Sequence, residues 1–347
     1  MTNKKGKRRK ENRRMWKYLG IAAVCALSML GSGCADPETE ANAESAMSSS
    51  ELSQKAIQAL NKSLEKEQGR QIEETFAIPE SAVGEDIHIS ASVEIPTTDI
   101  GKGTFTQTLP TIEQVETYLT NGEKLEEISA PYGDQEWWLQ KEINGEKKLQ
   151  MGYMINMADQ VAQFDNKVIP NMTEWPYKRG SCPTQELEDR LAQMTQETQD
   201  IFGSLGVETM VLDTELGEKE GHYMVHVTMT SCKGGLPLVN EDGSFLWETA
   251  FYTDEGMSSL HTNGAIELQK QKKVSVISVD DFLAVVKENA AEGKIKGWND
   301  VVYTKLTLAY CVDSINQKYF PVWLLYPEDS PITYICVNAQ TGEVISS

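Results

Sequence analysis

The sequence predicts an α+β fold: two related units, each one helix packed on a curled antiparallel sheet, preceded by a smaller β-rich N-terminal region. Three observations predict it. Apolar and polar residues alternate over much of the chain, as in 87–94, which is the period of a half-buried strand. Two segments, 184–202 and 279–292, have the three- and four-residue spacing of amphipathic helices. Strands come in runs, which favours antiparallel sheets over alternating βα units.

The first part of the folded region is predicted to contain two helices. One covers 53–69, where a single face holds Ala56, Ile57, Leu60 and Leu64. The other ends at Leu119 and opens on Thr111 and Gln114, which have the spacing of a capping box. A strong hairpin turn is predicted at Asn144-Gly145.

The two later helices have clear end signals. The helix at 184–202 follows Pro183 and is terminated by Gly203 and Gly206, and the helix at 279–292 has Ser278 as its N-cap. The predicted strands, in chain order, are 87–94, 104–108, 137–143, 148–156, 208–215, 223–230, 245–252, 256–261, 265–277, 302–312, 319–326, 333–338 and 344–345. The segment Gly234-Gly235-Leu236-Pro237 is interpreted as a turn.

The N-terminal 34 residues have the pattern of a secretory signal. Nine Lys/Arg and one Glu lie between Lys4 and Lys17, and an apolar stretch from Leu19 to Leu30 follows, too short for a stable membrane-spanning helix. Small residues then lead directly to Cys34, an arrangement that resembles a bacterial lipobox. The resemblance implies that 1–33 is a signal peptide and that Cys34 is the lipidated first residue of the mature protein. The alternative is an uncleaved N-terminal anchor.

Charge is distributed unevenly along the chain. The 347 residues have a formal charge of −20, and removal of 1–33 leaves a body of −28. Nucleic-acid binding requires a basic surface, so this class of function is excluded. Anionic lipid headgroups repel such a body, so membrane attachment is expected to depend on the lipid anchor. The acidic surface is interpreted as a solvated one, with attraction of cations or basic peptides as the alternative.

Composition and pattern together give five regions. Residues 34–52 are rich in Ala, Ser and Glu and are predicted to be a disordered acidic tether. A β-rich α+β region follows at 53–180, and the two helix-plus-sheet units are predicted at 181–275 and 276–347. The two units share the order helix, strands, aromatic strand and final strand.

The C-terminal unit carries a family resemblance. It contains Tyr319-Phe320-Pro321-Val322-Trp323 and, after a polar hairpin, Val337-Asn338-Ala339-Gln340-Thr341-Gly342. These segments resemble the end of PepSY-type domains, over about 70 residues from Val276 to Ser347. The layout of the whole chain is similar to that of lipoproteins of Gram-positive gut bacteria that have no assigned function. The resemblance implies a fold and an extracytoplasmic binding or inhibitory role, and it transfers no catalytic residue.

These motif residues have structural explanations. Thr341-Gly342 is predicted to reverse the chain, with Gly342 supplying a positive φ. Ala339 is expected to lie beneath this turn because it is small, and Trp323 is expected to fill the space between helix and sheet.

Four cysteines remain in the predicted mature chain, at positions 182, 232, 311 and 336. Disulfides are permitted outside the cytoplasm, and four cysteines allow three pairings. Their positions suggest Cys182–Cys232 and Cys311–Cys336. Buried free thiols are an equal alternative, because an unbridged cysteine behaves as a small apolar side chain.

No catalytic residue, metal ligand or cofactor is assigned. His222 and His226 have the spacing of a zinc-protease helix, but their neighbours favour a strand, on which they lie about 13 Å apart. The leading hypothesis is therefore a non-enzymatic, lipid-anchored protein on the extracytoplasmic side of the cell membrane, which binds or regulates another envelope protein. The alternative is a cell-envelope hydrolase that remodels the wall or cleaves peptides.

Overall fold

The computed structural model describes residues 49–82, 84–120, 122–128, 135–143, 146–156, 161–166, 175–219, 222–253, 256–328 and 332–346. This part of the chain has four α-helices, and the prediction of an α+β fold is confirmed. The helices are α1 (Ser49–Ser63, continued by a 3-10 turn at Leu64–Glu67), α2 (Ile112–Tyr118), α3 (Gln185–Ser204) and α4 (Val279–Ala291). Within the described residues, no helix is long and apolar enough to span a membrane.

The same described residues form eighteen strands. In chain order, the strands are β1 (Gln71–Phe76), β2 (Ile87–Glu94), β3 (Gly101–Thr108), β4 (Glu126–Ile128), β5 (Gln135–Ile143), β6 (Glu146–Asn156), β7 (Val161–Asn166), β8 (Tyr177–Lys178), β9 (Thr209–Lys219), β10 (His222–Lys233), β11 (Leu236–Val239), β12 (Trp247–Thr253), β13 (Gly256–Thr262), β14 (Ala265–Lys273), β15 (Val302–Asp313), β16 (Lys318–Tyr326), β17 (Ile335–Asn338) and β18 (Val344–Ser346).

Nine of these strands form a sheet in which every pairing is antiparallel, and we call it the large sheet. Its spatial order is β4-β5-β6-β7-β13-β12-β10-β9-β8. Helix α3 lies on one face, where Leu191 and Phe202 are buried together with Val225, Tyr252 and Phe164 of the strands. Among the described residues, helices pack on this face of the sheet and not on the other, as expected of an antiparallel α+β unit.

The remaining strands form the C-terminal sheet. Strands β15, β16, β17 and β18 follow one another as an antiparallel meander, and α4 packs on it through Phe282, Val286 and Ala290. Strands β2 and β11 both pair with β15 in parallel, in contrast to the purely antiparallel sheet predicted. The two sheets are joined where β10 runs on into its pairing with β11.

Helix ends follow the sequence signals closely. Thr111 and Gln114 form the predicted capping box of α2, and Ser278 caps α4 in a second box with Asp281. Thr184 caps α3, where its hydroxyl accepts the backbone N–H of Leu187. Such caps satisfy amide groups that the first helical turn leaves without a partner.

Several strand assignments from sequence were wrong. The sequence assigns Leu236 and Pro237 to a turn, but in the structure they belong to β11 (Leu236–Val239). The turn consists only of Gly234 and Gly235, whose φ angles are 58° and 82°. The segment 265–277 is not one strand throughout, because β14 ends at Lys273. Beyond Lys273, the side chain of the buried Asn61 of α1 donates to the carbonyl of Val274 and accepts from the amide of Val276. These are hydrogen bonds that the backbone of a neighbouring strand would otherwise provide.

The strands of the N-terminal range are divided between the two sheets. Strands β1 to β3 belong to the C-terminal sheet, and β4 to β8 belong to the large sheet. The ranges 53–180, 181–275 and 276–347 stay predictions as domains. The signal peptide, Cys34, nearly all of the tether and the Asn144-Gly145 turn lie outside the described residues.

Candidate functional site

The face of the large sheet opposite α3 is the candidate functional site, and we call it the open face. Successive side chains of a strand point to opposite faces. On β10, Val225 and Val227 are buried under α3, so His226 and Thr228 point to the open face. Most of the side chains that reach this face are polar, charged or aromatic, with Met154 and Met224 as apolar exceptions, whereas those under α3 are almost all apolar.

Strand register brings the open-face residues into two rows. In each row, directly paired residues are cross-strand neighbours with Cβ atoms about 5 Å apart. The first row, from one edge to the other, is Glu126, Trp138, Gly152, Asp165, Ser259, Phe251, His226, Glu215 and Lys178. The second row is Glu136, Met154, Gln163, His261, Thr249, Thr228 and Asp213.

Three rings form an aromatic cluster near the middle of the first row. The imidazole of His226 and the ring of Phe251 are parallel, with their centroids 4.1 Å apart. The indole of Trp175 lies tilted beside both, 5.9 Å from His226 and 6.4 Å from Phe251. All three side chains are partly exposed, so the cluster presents apolar surface to solvent.

Charged groups lie next to this cluster. The Nζ atom of Lys178 is 2.7 Å from a carboxylate oxygen of Asp213 and 3.2 Å from one of Glu215. Glu215 is also 3.9 Å from Nδ1 of His226. Burial lowers the pKa of His226, and the nearby carboxylates oppose this shift only in part. The imidazole is therefore neutral at pH 7, and its ring serves as an aromatic surface.

A second aromatic feature lies farther along the first row. Gly152 has no side chain, and a Cβ atom built on it falls 2.7–2.8 Å from three ring carbons of Trp138. The indole therefore lies flat on the backbone of Gly152. Its Nε1–H donates to a carboxylate oxygen of Glu136 at 3.1 Å, and Asp165 is on the other side of Gly152.

A cleft lies beside Lys178, at the edge of the open face, between the large sheet and the C-terminal sheet. Its volume is about 500 Å³, and its lining includes Lys178, Arg179 and Asp213 from the large sheet side and Thr304 and Glu328 from the other. This size is in the range of small-ligand pockets.

One carboxylate is completely buried where the two sheets approach each other. Glu248 accepts a hydrogen bond from the hydroxyl of Ser231 at 2.6 Å and from the backbone and side chain of Asn263 at 3.2–3.3 Å. Burial raises the pKa of Glu248 to about 7. Raised carboxylate pKa values also occur in catalytic acids, but here hydrogen bonds hold the group inside the protein. The geometry assigns it a structural role.

The four cysteines that the structure describes are free thiols, so the suggested disulfides are not formed. Cys182 precedes α3, whereas the amide of Cys232 bonds Glu208, beyond the other end of that helix. A helix of 20 residues is about 30 Å long, far beyond the reach of a disulfide. Cys311 and Cys336 lie on β15 and β17, with β16 between them, about 10 Å or more apart.

These thiols are also poor nucleophiles. Burial raises the pKa of Cys232 and of Cys311 to about 12, and it raises that of Cys182 as well. The thiolate is the reactive form, so the described cysteines are expected to be inert.

The C-terminal motif residues lie in and around the core beneath α4. Trp323 is fully buried, its ring centroid is 6.2 Å from that of Phe282, and its Nε1–H donates to the carbonyl of Ile277 at 3.0 Å. Ala339 is also fully buried. Gly342 has a φ of 71°, and the amide of Thr341 donates to the side chain of Asn338. These residues are remote in sequence from the open face and contribute to packing and turn formation.

Sequence reasoning did not identify the open face. The sequence places His226 on a strand, as the structure shows, but it assigns no functional role to Trp138, Asp165 or Phe251. The sequence does contain one indication of this face. On some predicted strands, aromatic residues occupy the same alternate positions as polar ones, as Glu136 and Trp138 do. That signal does not show which strands are neighbours.

Fold and site together define an α+β protein whose antiparallel large sheet is covered by a helix on one face and carries aromatic and acidic residues on the other. No family model and no curated protein matches the chain. An uncharacterized protein from Eubacterium rectale ATCC 33656 has a similar structure, with a TM-score of 0.47 and 12% identity, covering 81% of this chain and 96% of that protein.

Two further solved structures are similar at a greater distance. YycH from Bacillus subtilis has a TM-score of 0.40 and 12% identity, covering 82% of this chain and 60% of YycH. The C-terminal domain of Bacillus megaterium YpeB has a TM-score of 0.33 and 11% identity, covering 67% of this chain and 93% of that domain. Likenesses this distant identify neither a family nor a function for the chain.

Proposed function

We propose that this chain is a lipid-anchored protein of the extracytoplasmic face of the cell membrane, which acts without enzymatic activity by binding or regulating another envelope protein. The N-terminal pattern that ends at Cys34 supports the anchor and the location. The strong negative charge of the body supports an anchor as the means of attachment, since anionic lipids repel it.

The single observation that supports a binding function is the open face. Clusters of partly exposed aromatic side chains are typical of protein interfaces, where Trp, Tyr and Phe are enriched. Trp138, Trp175 and Phe251 are all of this kind. The C-terminal motif supports the same class of function only through its PepSY-type resemblance, because Trp323 and Gly342 have structural roles.

Replacement of Cys34 by Ala tests the anchor. The variant is expected to leave the membrane fraction or to accumulate as an unprocessed precursor, because the acidic body has no other attachment that the sequence shows. Membrane fractionation with a high-salt wash, together with the mass of the product, measures both. Processed Cys34→Ala protein that stays with the membrane after the wash contradicts the anchor.

Site-specific photo-crosslinking tests the binding function. Gln163 is exposed on the open face, and Gln193 is exposed on α3, on the opposite side of the same sheet. A photo-reactive amino acid at Gln163 is expected to crosslink one envelope protein in intact cells, and the same amino acid at Gln193 is expected to give at least tenfold less of that product. The crosslinked species is identified by mass spectrometry.

Equal yields at the two positions contradict the open face as the binding site. The hydrolase alternative makes a different prediction, namely turnover of peptidoglycan or peptides by the purified chain, abolished by one substitution that leaves folding intact. Such turnover overturns the non-enzymatic function.

A further inference from the structure

We propose that the open face recognises an extended segment of the partner protein that carries a Lys or Arg side chain, and that Trp138 is the residue on which this cation binds. The inference rests on the proposed function and specifies the chemistry of the partner. Its occupant is a basic, extended protein segment.

The indole ring of Trp138 provides the surface on which the cation binds, and we call this ring the platform. One face of the indole lies against the backbone of Gly152 in the neighbouring strand, so the other face is directed away from the sheet. The side chain is partly exposed. The hydrogen bond from Nε1 to Glu136 fixes the orientation of the ring. A cation over the face of a Trp ring is attracted by the ring quadrupole, and Trp is the best of the aromatic side chains for this contact.

Carboxylates surround this platform. Glu136 bonds the indole itself, and Asp165 is paired with Gly152 on the side away from Trp138. Among the described side chains, the donor to the Asp165 carboxylate is the amide group of Gln163, at 2.9 and 3.1 Å from its two oxygens. This amide is uncharged, so it does not neutralise the carboxylate. Both negative charges are therefore available to a cation on the ring. Lys178 is at the far end of the same row, where Asp213 and Glu215 already neutralise it.

The spacing of the row defines the length of the segment. Four strand spacings separate Trp138 from Phe251 in the aromatic cluster, which is about 19 Å. Two residues six positions apart in an extended chain span about that distance, and their side chains point to the same side because the side-chain period is two. The proposed segment therefore places a basic residue on Trp138 and an apolar residue about six positions away, on Phe251 and Trp175.

Charge complementarity favours this choice over an acidic or a neutral segment. The two rows contain Glu126, Glu136, Asp165, Asp213 and Glu215 against the single cation Lys178. The body of the chain is also strongly acidic, which attracts a basic partner and repels an acidic one at long range.

A peptide of minimal composition tests the proposal. The probe is a fluorescently labelled, end-blocked heptapeptide with Lys and Phe at its ends and five Thr between them, titrated with the full chain in detergent. We expect binding that weakens as salt is raised, and an affinity at least about fivefold lower when Glu or acetyl-lysine replaces the Lys.

Variants locate the binding on Trp138. Trp138→Ala and Asp165→Asn are each expected to weaken binding about fivefold, while Trp138→Phe retains part of the affinity because it keeps an aromatic face. Trp298→Ala is the matched control, since Trp298 is 58% exposed and lies outside the open face. Circular dichroism confirms that each variant is folded. Absence of Lys-dependent binding, or equal binding by Trp138→Ala, overturns the proposal.

The partner found by crosslinking separates this proposal from the proposed function. If a protein crosslinks at Gln163 but neither the Lys peptide nor Trp138→Ala lowers its yield, the binding function stands and the basic segment is wrong. If the Lys peptide binds through Trp138 but no protein crosslinks at Gln163, the recognition chemistry stands and the envelope-protein partner is wrong.

Discussion

Trp323→Ala is expected to lower the free energy of unfolding by about 3–5 kcal/mol, the usual range for truncation of a large buried aromatic side chain. Trp323 is fully buried between α4 and the C-terminal sheet, in contact with Phe282. Truncation leaves a cavity and also removes the donor that satisfies the carbonyl of Ile277, just before the N-cap of α4. Both losses are unfavourable. Chemical denaturation followed by circular dichroism measures the change.

Trp298→Ala is the control for this measurement. Because Trp298 is 58% exposed, its truncation is expected to change stability by less than about 0.5 kcal/mol. A loss below about 1 kcal/mol for Trp323→Ala contradicts the packing, and it would mean that the indole is accessible.

Glu248→Gln is expected to remove a large pH dependence of stability. Burial raises the pKa of Glu248 to about 7, from a value near 4.5 in the unfolded chain. Between these two pH values the folded state holds a proton that the unfolded state has released. The contribution of Glu248 to stability is therefore complete below about pH 4.5, falls as pH rises, and is lost above about pH 7. Its size is about 3 kcal/mol, at 1.36 kcal/mol for each pKa unit.

Gln is neutral at every pH and retains one acceptor for Ser231 and Asn263. The stability of the wild-type protein minus that of the variant is expected to fall by about 3 kcal/mol between pH 4.5 and pH 7.5. Other carboxylates are common to both proteins, so their contributions cancel in the difference. Denaturation curves at a series of pH values provide the measurement. Parallel stability profiles would show that Glu248 titrates normally and is accessible to water.

Local sequence signals predicted the helices well. The α2 capping box needs only Thr111 and Gln114, three positions apart, and the N-cap of α4 needs only Ser278 and its neighbours. The positive φ of Gly342 follows in the same way from the turn residues beside it. Such features are determined by contacts within one turn of the chain, so a single sequence carries the information for them.

Pairing between distant segments was not predictable in this way. Strand β11 has only four residues, one of them Pro237, and its local sequence favours a turn. It becomes a strand because β10 pairs with its first two residues and β15 pairs with its last two. The cysteine pairs failed for the same reason, since their separation depends on the length of α3 and on the position of β16 between β15 and β17.

By itself, the sequence determined the acidic body, the α+β class and the helix ends, and it predicts a secretory signal and a lipid anchor at Cys34. Each of these is a property of composition or of residues a few positions apart. Only the tertiary structure decided the open face, because Trp138, Asp165 and Phe251 become neighbours through the order of β5, β6, β7, β13 and β12. Strand order depends on which distant segments pair and bury apolar surface together. The alternation of residues within one strand does not identify the strand that pairs with it.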